Sequence, residues 1–318
     1  MIFLRGALFA FFMVPSVWAN DPVVASAAAP PAPPPEIKLA EIPSLSIPLP
    51  PERVLPQFER VQGGSFSQTI EGTTATYHTG AGRNAVDFKT FDIEKGYGVN
   101  VRQGSADTKS LFRVTGQDPS IIRGQLSIDQ GHVFLSNHNG VYFTKDAILD
   151  ISKLTAIGGR VNPNEFMAGG DFKITTSDLG TVFNASTTQV KDKGLFSLVG
   201  HSVTNTGHIL GREIEVNGIA GKEVYVSFSG HDHVGFQVSQ EKKIPVPIAQ
   251  DMVNLETSPM VMTVDQAEST ITHVVSMGGT VEATASEAKG SQIILRGDKI
   301  SVPEGSSLKA ESDSATKA

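Results

Sequence analysis

From residue 58 onward, apolar residues recur at every second position in short runs, and Gly, Asn, Asp or Ser separate one run from the next. Val133/Leu135, Val141/Phe143, Phe172/Ile174, Val224/Val226/Phe228, Val234/Phe236/Val238 and Ile293/Leu295 are examples. Successive side chains of an extended strand point to opposite faces, so this spacing predicts half-buried β-structure. No apolar stripe of helical period persists for three turns. Residues 105–111 and 251–255 come nearest, with room for a turn or two. Many short strands joined by tight turns fit a sandwich, a barrel or a β-solenoid. Two imperfect repeats, VTNTG at 203–207 and VNG at 216–218, tilt the choice towards stacked rungs. Each rung would bury Val, Ile, Leu and Phe on the rung below, with Asn at the corners.

The first 57 residues break this pattern. Arg5, the apolar core at 7–14 and the small-residue site Val17-Trp18-Ala19 make residues 1–19 read as a secretory signal. That core is too short to span a bilayer, and no later run reaches about 18 apolar residues, so no integral membrane span is expected after cleavage. In the stretch 20–57, residues 25–56 hold prolines at 30, 31, 33, 34, 35, 43, 48, 50, 51 and 56. Proline lacks the amide donor that ladders and helices need, so this stretch reads as a disordered, semi-stiff linker. The chain contains no cysteine, which excludes a disulfide framework and leaves stability to packing and ladder hydrogen bonds. Glycine is frequent, at 31 of 318 residues, as tight turns require. A formal charge of −7 without long runs argues against nucleic acid as a partner.

One stretch says more than its pattern. Residues 113–143 read RVTGQDPSIIRGQLSIDQGHVFLSNHNGVYF, two alternating runs closed by turns rich in Asn, Asp and Gly. They resemble the N-terminal secretion domain of filamentous-haemagglutinin-like exoproteins, which leave the cell by two-partner secretion. That family carries N-R-V-T-G-x-x-P-S-x-I-x-G-x-L followed by N-P-N-G-[VI]-x-F. Here Arg113, Val114, Thr115, Gly116, Pro119, Ser120, Ile122, Gly124 and Leu126 fit the first part, and Asn137, Asn139, Gly140, Val141 and Phe143 the second. His138 stands where the family has Pro, and Phe112 where it has Asn. Residues 83–93 (RNAVDFKTFDI), with Phe88 in place of the family's Trp, extend the match upstream, as does VNVRQGS at 99–105. NEFMAG at 164–169 and the stretch 194–207 extend it downstream.

The resemblance implies a right-handed parallel β-helix with an N-terminal cap. It marks 58–170 as the two-partner-secretion domain, with 171–305 read as the β-helix continuation; residues 306–318, small and polar, read as a disordered tail. It implies a dedicated outer-membrane transporter as partner and a secreted or cell-surface location reached through the periplasm. An adhesin or surface-binding role towards a host-surface glycan or protein is the implied downstream function. Arg113, Gly116, Pro119, Ser120, Asn137, Asn139 and Gly140 are its transporter-recognition or motif residues. The 137–140 turn has two readings: Asn and Gly suit a solenoid corner by conformation alone, or the turn is recognised directly.

Other chemistry finds less support. Residues 80–85 (GAGRNA) spell a dinucleotide fingerprint, but an alternating strand pattern follows where that motif needs a helix. His231-Asp232-His233 would place two imidazoles on one strand face, half of a zinc site that would need His201 or His208 as well. There is no Cys and no G-x-S-x-G elbow. A β-helix enzyme acting on polysaccharide would need paired carboxylates, and Asp129, Asp146, Asp150, Asp171 and Asp178 are scattered. No catalytic residue, metal ligand or cofactor is therefore assigned. Besides that enzyme, the alternative to a functional exoprotein is a truncated remnant or structural surface protein without adhesin activity.

Overall fold

The computed structural model describes residues 54–229, 233–239, 273–285 and 291–312. The expected signal, nearly all of the Pro-rich linker and the helical candidate at 251–255 lie outside them. The chain opens with β1 (Gln57–Gly63), β2 (Phe66–Glu71), β3 (Thr74–Thr79) and β4 (Arg83–Thr90). It continues with β5 (Gly98–Gln103), β6 (Lys109–Val114), β7 (Ser120–Ile122), β8 (Gln125–Ser136), β9 (Val141–Phe143) and β10 (Ile148–Ile157). Next come β11 (Gly159–Val161), helix α1 (Pro163–Met167) and β12 (Phe172–Thr176). They are followed by β13 (Thr181–Asn184), β14 (Thr187–Gly200), β15 (Ser202–Asn205), β16 (His208–Arg212) and β17 (Glu215–Ala220). The remaining strands are β18 (Glu223–Ser229), β19 (His233–Val238), β20 (Val274–Met277), β21 (Thr280–Ala285), β22 (Gln292–Arg296), β23 (Lys299–Ser301) and β24 (Ser307–Ser312).

Most of these stack in parallel as three walls, so the fold is the expected parallel β-helix. The first wall runs β3, β5, the first half of β8, then β10, β14, β16, β21 and β24. The second runs β4, β6, the second halves of β8, β10 and β14, then β17 and β22. The third is β7, β9, β13, β15, β20 and β23. Strands β8, β10 and β14 are long because each turns a corner, with a register break at 151–153 of β10. Inward side chains line up rung on rung: Phe112, Leu135, Ala156 and Leu198 follow one another in register and are all buried. Removing each such side chain from water contributes about 1.5–3 kcal/mol for the larger ones.

At its N-terminal end the helix is capped. Strands β1 and β2 pair antiparallel, with β4 and β3 respectively, and their outer faces are exposed. Beneath them lies an aromatic cluster of Phe66, Tyr77, Phe88, Phe91 and Phe112, with Phe88 at 5.1 Å from Phe91 and 5.3 Å from Phe112. Phe88 and Phe112, the two departures from the family wording in this region, are thus both interior packing residues.

Two expectations are corrected. Strands β12, β18 and β19, expected as rungs within 171–305, form a separate antiparallel sheet in the order β11-β12-β18-β19. This outer sheet covers the second wall from outside and encloses a second core, where Phe134, Phe166, Phe172, Ile174, Val224 and Val226 are buried. The tail is ordered as far as β24, which pairs with β21. Residues 105–111 form a turn that leads into β6, and the helix among the described residues is α1. Its start is marked by Asn162, whose side chain accepts from Asn164 N, with Pro163 next and Glu165 in the first turn.

Candidate functional site

The loop 115–119 between β6 and β7 and the turn 137–140 between β8 and β9 are neighbouring corners of successive rungs. Ser120 N donates to Gly140 O at 3.0 Å, joining the two. Asn137 is fully buried and uses its whole side chain internally. Its Nδ2 donates to Asp118 O at 2.9 Å and to Ser120 Oγ at 3.1 Å, and its Oδ1 accepts from Asn139 N at 2.9 Å. Asn139 Nδ2 then donates to Gly116 O at 3.1 Å. Five of the seven expected motif residues (Gly116, Ser120, Asn137, Asn139 and Gly140) therefore share one hydrogen-bonded network.

The two glycines are required by space and conformation. A Cβ at Gly116 would stand 2.3 Å from Lys89 O on the rung below. Gly140 has φ +107 and lies against Thr181 O, so an L side chain there meets both strain and backbone. Pro119 is half-buried beside Asp118, whose carbonyl Asn137 holds. The rim left towards solvent is Thr115, Gln117 and Asp118, with His138 and Asn139 half-buried. The His138 carbonyl accepts from Ser177 Oγ, and burial together with the Arg160 charge lowers the His138 imidazole pKa.

Arg113, the seventh motif residue, is wired elsewhere. Its Nε and one η nitrogen donate to the two oxygens of Asp87 at 2.8 and 2.9 Å, from the register position directly opposite on β4. Asp87 is 1% exposed and also accepts from Arg60 Nε at 2.9 Å and Gln62 Nε2 at 2.5 Å. Burial alone would raise its pKa, but the hydrogen bonds from Arg113, Gln62 and Arg60 outweigh it and hold the carboxyl below its ordinary value. Arg60 and Gln62 lie on β1, so the pair ties the antiparallel cap to the first rungs. Sequence reasoning quoted the stretch containing Asp87 without singling it out; its one signal is a lone acid inside the apolar run AVDF.

A second asparagine device lies on the third wall. Asn184 and Asn205 are in register and buried; Asn184 Nδ2 donates to Asn205 Oδ1 at 2.8 Å, and Asn205 Nδ2 to Gly278 O at 2.6 Å. The other chemistry stays apart. Asp146 pairs with Lys95 and Asp150 with Lys191, Asp171 accepts from Phe228 N, Asp129 accepts from Gln103 N, and Asp178 lies 3.9 Å from His201. The His201 ring stacks edgewise on His273 at 4.9 Å, while His208 opens β16. Among the described residues no three His, Asp or Glu side chains are grouped to hold a metal ion, and His231 and Asp232 lie outside them.

Residues 57–309 match the family described as the TPS secretion domain. The chain belongs to this two-partner secretion family. A heme/hemopexin-binding protein of Haemophilus influenzae strain Rd is 26% identical over 273 residues, which are 82% of this chain and 29% of that protein. Another heme/hemopexin-binding protein of Haemophilus influenzae is 35% identical over 104 residues, 32% of this chain and 11% of its own length. The chain thus spans less than a third of these relatives. A crystal structure of the HMW1 secretion domain from Haemophilus influenzae shares the fold, with a TM-score of 0.55 at 19% identity over 76% of this chain and 57% of that one. Members of the TPS family are exoproteins secreted to the cell surface or extracellular space, and the match indicates no enzymatic family. The family implies a dedicated outer-membrane transporter as partner. No helix among the described residues is long and apolar enough to cross a membrane.

Proposed function

We propose that this chain is exported through a dedicated outer-membrane transporter and then serves in surface binding, as an adhesin or ligand-binding exoprotein. The domain plan that goes with this is a cleaved signal at 1–19, a linker to 57 and a secretion-directing body from 58. The observation that carries the export half is the corner network. Asn137, Ser120, Gly116 and Gly140 are spent on each other and on backbone, so they act as positioning residues that fix the outline of the corner. The transporter then reads the outward rim at Thr115, Gln117, Asp118, His138 and Asn139, while Arg113 holds the cap in place through Asp87. Folding outside the cell assists transport, because each stacked rung buries apolar surface and closes ladder bonds, which opposes backsliding. The ligand named for the two relatives supports a binding role downstream, but these proteins share only a minor part of their length with this chain.

The test compares culture medium with periplasm for three variants. Deleting residues 58–170 abolishes export. Asn137→Ala leaves the Asp118 carbonyl, the Ser120 hydroxyl and the Asn139 amide without their partner, at about 2–3 kcal/mol of stability, and lowers export several-fold. The paired substitution Gln117→Ala with Asp118→Ala lowers export while leaving the unfolding free energy within about 0.5 kcal/mol, as for surface sites generally. Undiminished export of the deletion would sink the two-partner reading. Undiminished export of the rim variant alone would remove direct reading of this corner.

A further inference from the structure

A cleft of about 550 Å³ opens where the end of β6 meets α1 and the outer face of the outer sheet. Three cations line it from three elements: Arg113 from β6, Arg160 from β11 and Lys173 from β12. For two of them the convergence follows from register: Arg160 pairs with Thr175, and Lys173 is two residues before Thr175 on the same strand, so Arg160 and Lys173 share the face opposite the buried Val161 and Ile174. Arg113 and Lys173 are held in place, by Asp87 and by Glu223 at 2.8 Å. Arg160 is exposed, and its guanidinium makes no hydrogen bond or ion pair among the described residues. Arg113 likewise keeps one η nitrogen without a hydrogen-bond partner among them.

The rest of the lining sets the kind of anion. Glu165, exposed in the first turn of α1, brings a carboxylate into the same cleft. It repels a second negative charge, which disfavours a phosphate or sulfate dianion, but it accepts hydrogen bonds from hydroxyl groups. Asn162 commits its Oδ1 to capping α1 and keeps its amide hydrogens for a ligand, and Thr175 adds a hydroxyl. The lining contains no aromatic ring on which a base would stack, and the chain carries −7 overall, so nucleic acid fits poorly. The volume suits one or two sugar rings.

We propose that this cleft binds an acidic saccharide of the hexuronate class, its carboxylate on Arg160, Arg113 and Lys173 and its hydroxyls on Glu165, Asn162 and Thr175. Guanidinium forks match a planar carboxylate, which gives the site its charge selectivity. This rests on the surface-binding half of the proposed function, and binding in solution is measured apart from export, so either can fail alone.

The experiment titrates the full chain, labelled with nitrogen-15, with sodium D-glucuronate, D-glucose, inorganic phosphate and a short Glu-rich peptide, following the arginine Nε–H resonances. Glucuronate is expected to shift Arg160 and Arg113 saturably with Kd near about 1 mM, at least about tenfold tighter than glucose or phosphate. Arg160→Ala weakens glucuronate about tenfold without changing the unfolding midpoint, as expected for an exposed side chain. Glu165→Gln narrows the gap between glucuronate and phosphate. The proposal is overturned if glucuronate gives no saturable shift, or if the Arg160 variant binds it equally well. Tighter phosphate binding would make this a simple anion site, and binding of the peptide alone would make it a protein-docking site; either result also overturns the saccharide assignment.

Discussion

The second wall of the β-helix has two buried faces, and they are built on opposite principles. Its inner face meets the rungs above and below: Phe112, Leu135, Ala156 and Leu198 follow one another in register, each packed by a neighbour that the same ladder supplies. Its outer face carries Leu111, His132, Phe134, Ile157, Val199 and Ile219, and nothing in the stacking covers these. A sheet of opposite pairing does so instead, with strands drawn from residues 159–176 and 223–238. The inner core is therefore local and repetitive, and can grow rung by rung. The outer core depends on segments far apart in sequence that must come together after the wall exists. Arg83 fastens this second layer to the cap, with its guanidinium over the rings of Phe166 and Phe228 at 5.1 and 4.8 Å and a hydrogen bond to Phe166 O at 2.6 Å.

The largest effects come from truncating one ring in each core. Phe196 is fully buried inside the helix, and Phe172 is 3% exposed under the outer sheet. Phe196→Ala is expected to cost about 4 kcal/mol, because the closed rungs around it cannot collapse into the cavity. Phe172→Ala should cost nearer about 3 kcal/mol, since Phe134, Phe166 and Phe228 surround it and can shift. Urea unfolding gives the totals, and hydrogen exchange locates them. The inner variant should lose amide protection along all three walls, and the outer variant in β12, β18 and β19 first. Equal loss of protection everywhere in both variants would show that the two cores unfold as one unit.

The same contrast explains what the sequence made legible. The inner core announces itself as period-2 alternation, and the corner residues as Asn-Gly wording, because both are local. The outer sheet's own strands also alternate, but the wall beneath it is written in unbroken runs: His132-Val133-Phe134-Leu135, Leu154-Thr155-Ala156-Ile157 and Leu195-Phe196-Ser197-Leu198-Val199 are buried on both phases. Such runs signal a strand covered on two faces, whereas the alternating reading accounts for only one. Interleaving also hides the rung period. Leu135 follows Phe112 by 23 residues and Ala156 follows Leu135 by 21, but Leu198 comes 42 later because β11, α1 and β12 intervene. The Arg113–Asp87 pair was out of reach for a related reason. Its members lie 26 residues apart in separate motifs, and only the register of β4 on β6 joins them.

A smaller effect tests how the outer core handles a polar ring. His132 is buried there, stacked on Phe134 at 3.9 Å, with Nε2 at 2.8 Å from Thr155 Oγ1. Burial, with the nearby charges of Lys153 and Lys109, holds its pKa well below the ordinary 6.5. The unfolded chain takes up this proton as pH falls through about 6.5, whereas the folded chain does so only far lower. The contribution is thus fully present above about 6.5 and is lost progressively as pH falls towards the folded value. Between pH 7 and pH 5.5 the loss should be about 1 kcal/mol for this group. His138 and His201, also lowered, add to the slope. Replacing the ring by glutamine, His132→Gln, should flatten the pH dependence of urea unfolding without removing it. An unchanged slope would mean that His132 takes up its proton within the fold.

The smallest expected effect has the opposite sign and comes from the inner core. Tyr77 is fully buried in the cap, its ring 5.3 Å from Phe66 and 5.6 Å from Phe88, and its hydroxyl finds no hydrogen-bond partner among the described residues. Burial raises the pKa of this phenol, so it stays neutral, yet the O–H has still given up its water. Leaving one such group unpaired costs about 1 kcal/mol or more. Phenylalanine keeps the ring and its packing, so Tyr77→Phe should stabilise the protein by about 1 kcal/mol and raise the thermal midpoint by a few degrees. His132→Phe should do the reverse, because it strands the Thr155 hydroxyl that the imidazole now satisfies. The sign of the difference between these two variants is the point. If Tyr77→Phe destabilises instead, the hydroxyl has a partner, and the interior of the rungs accommodates polar groups as the outer layer does.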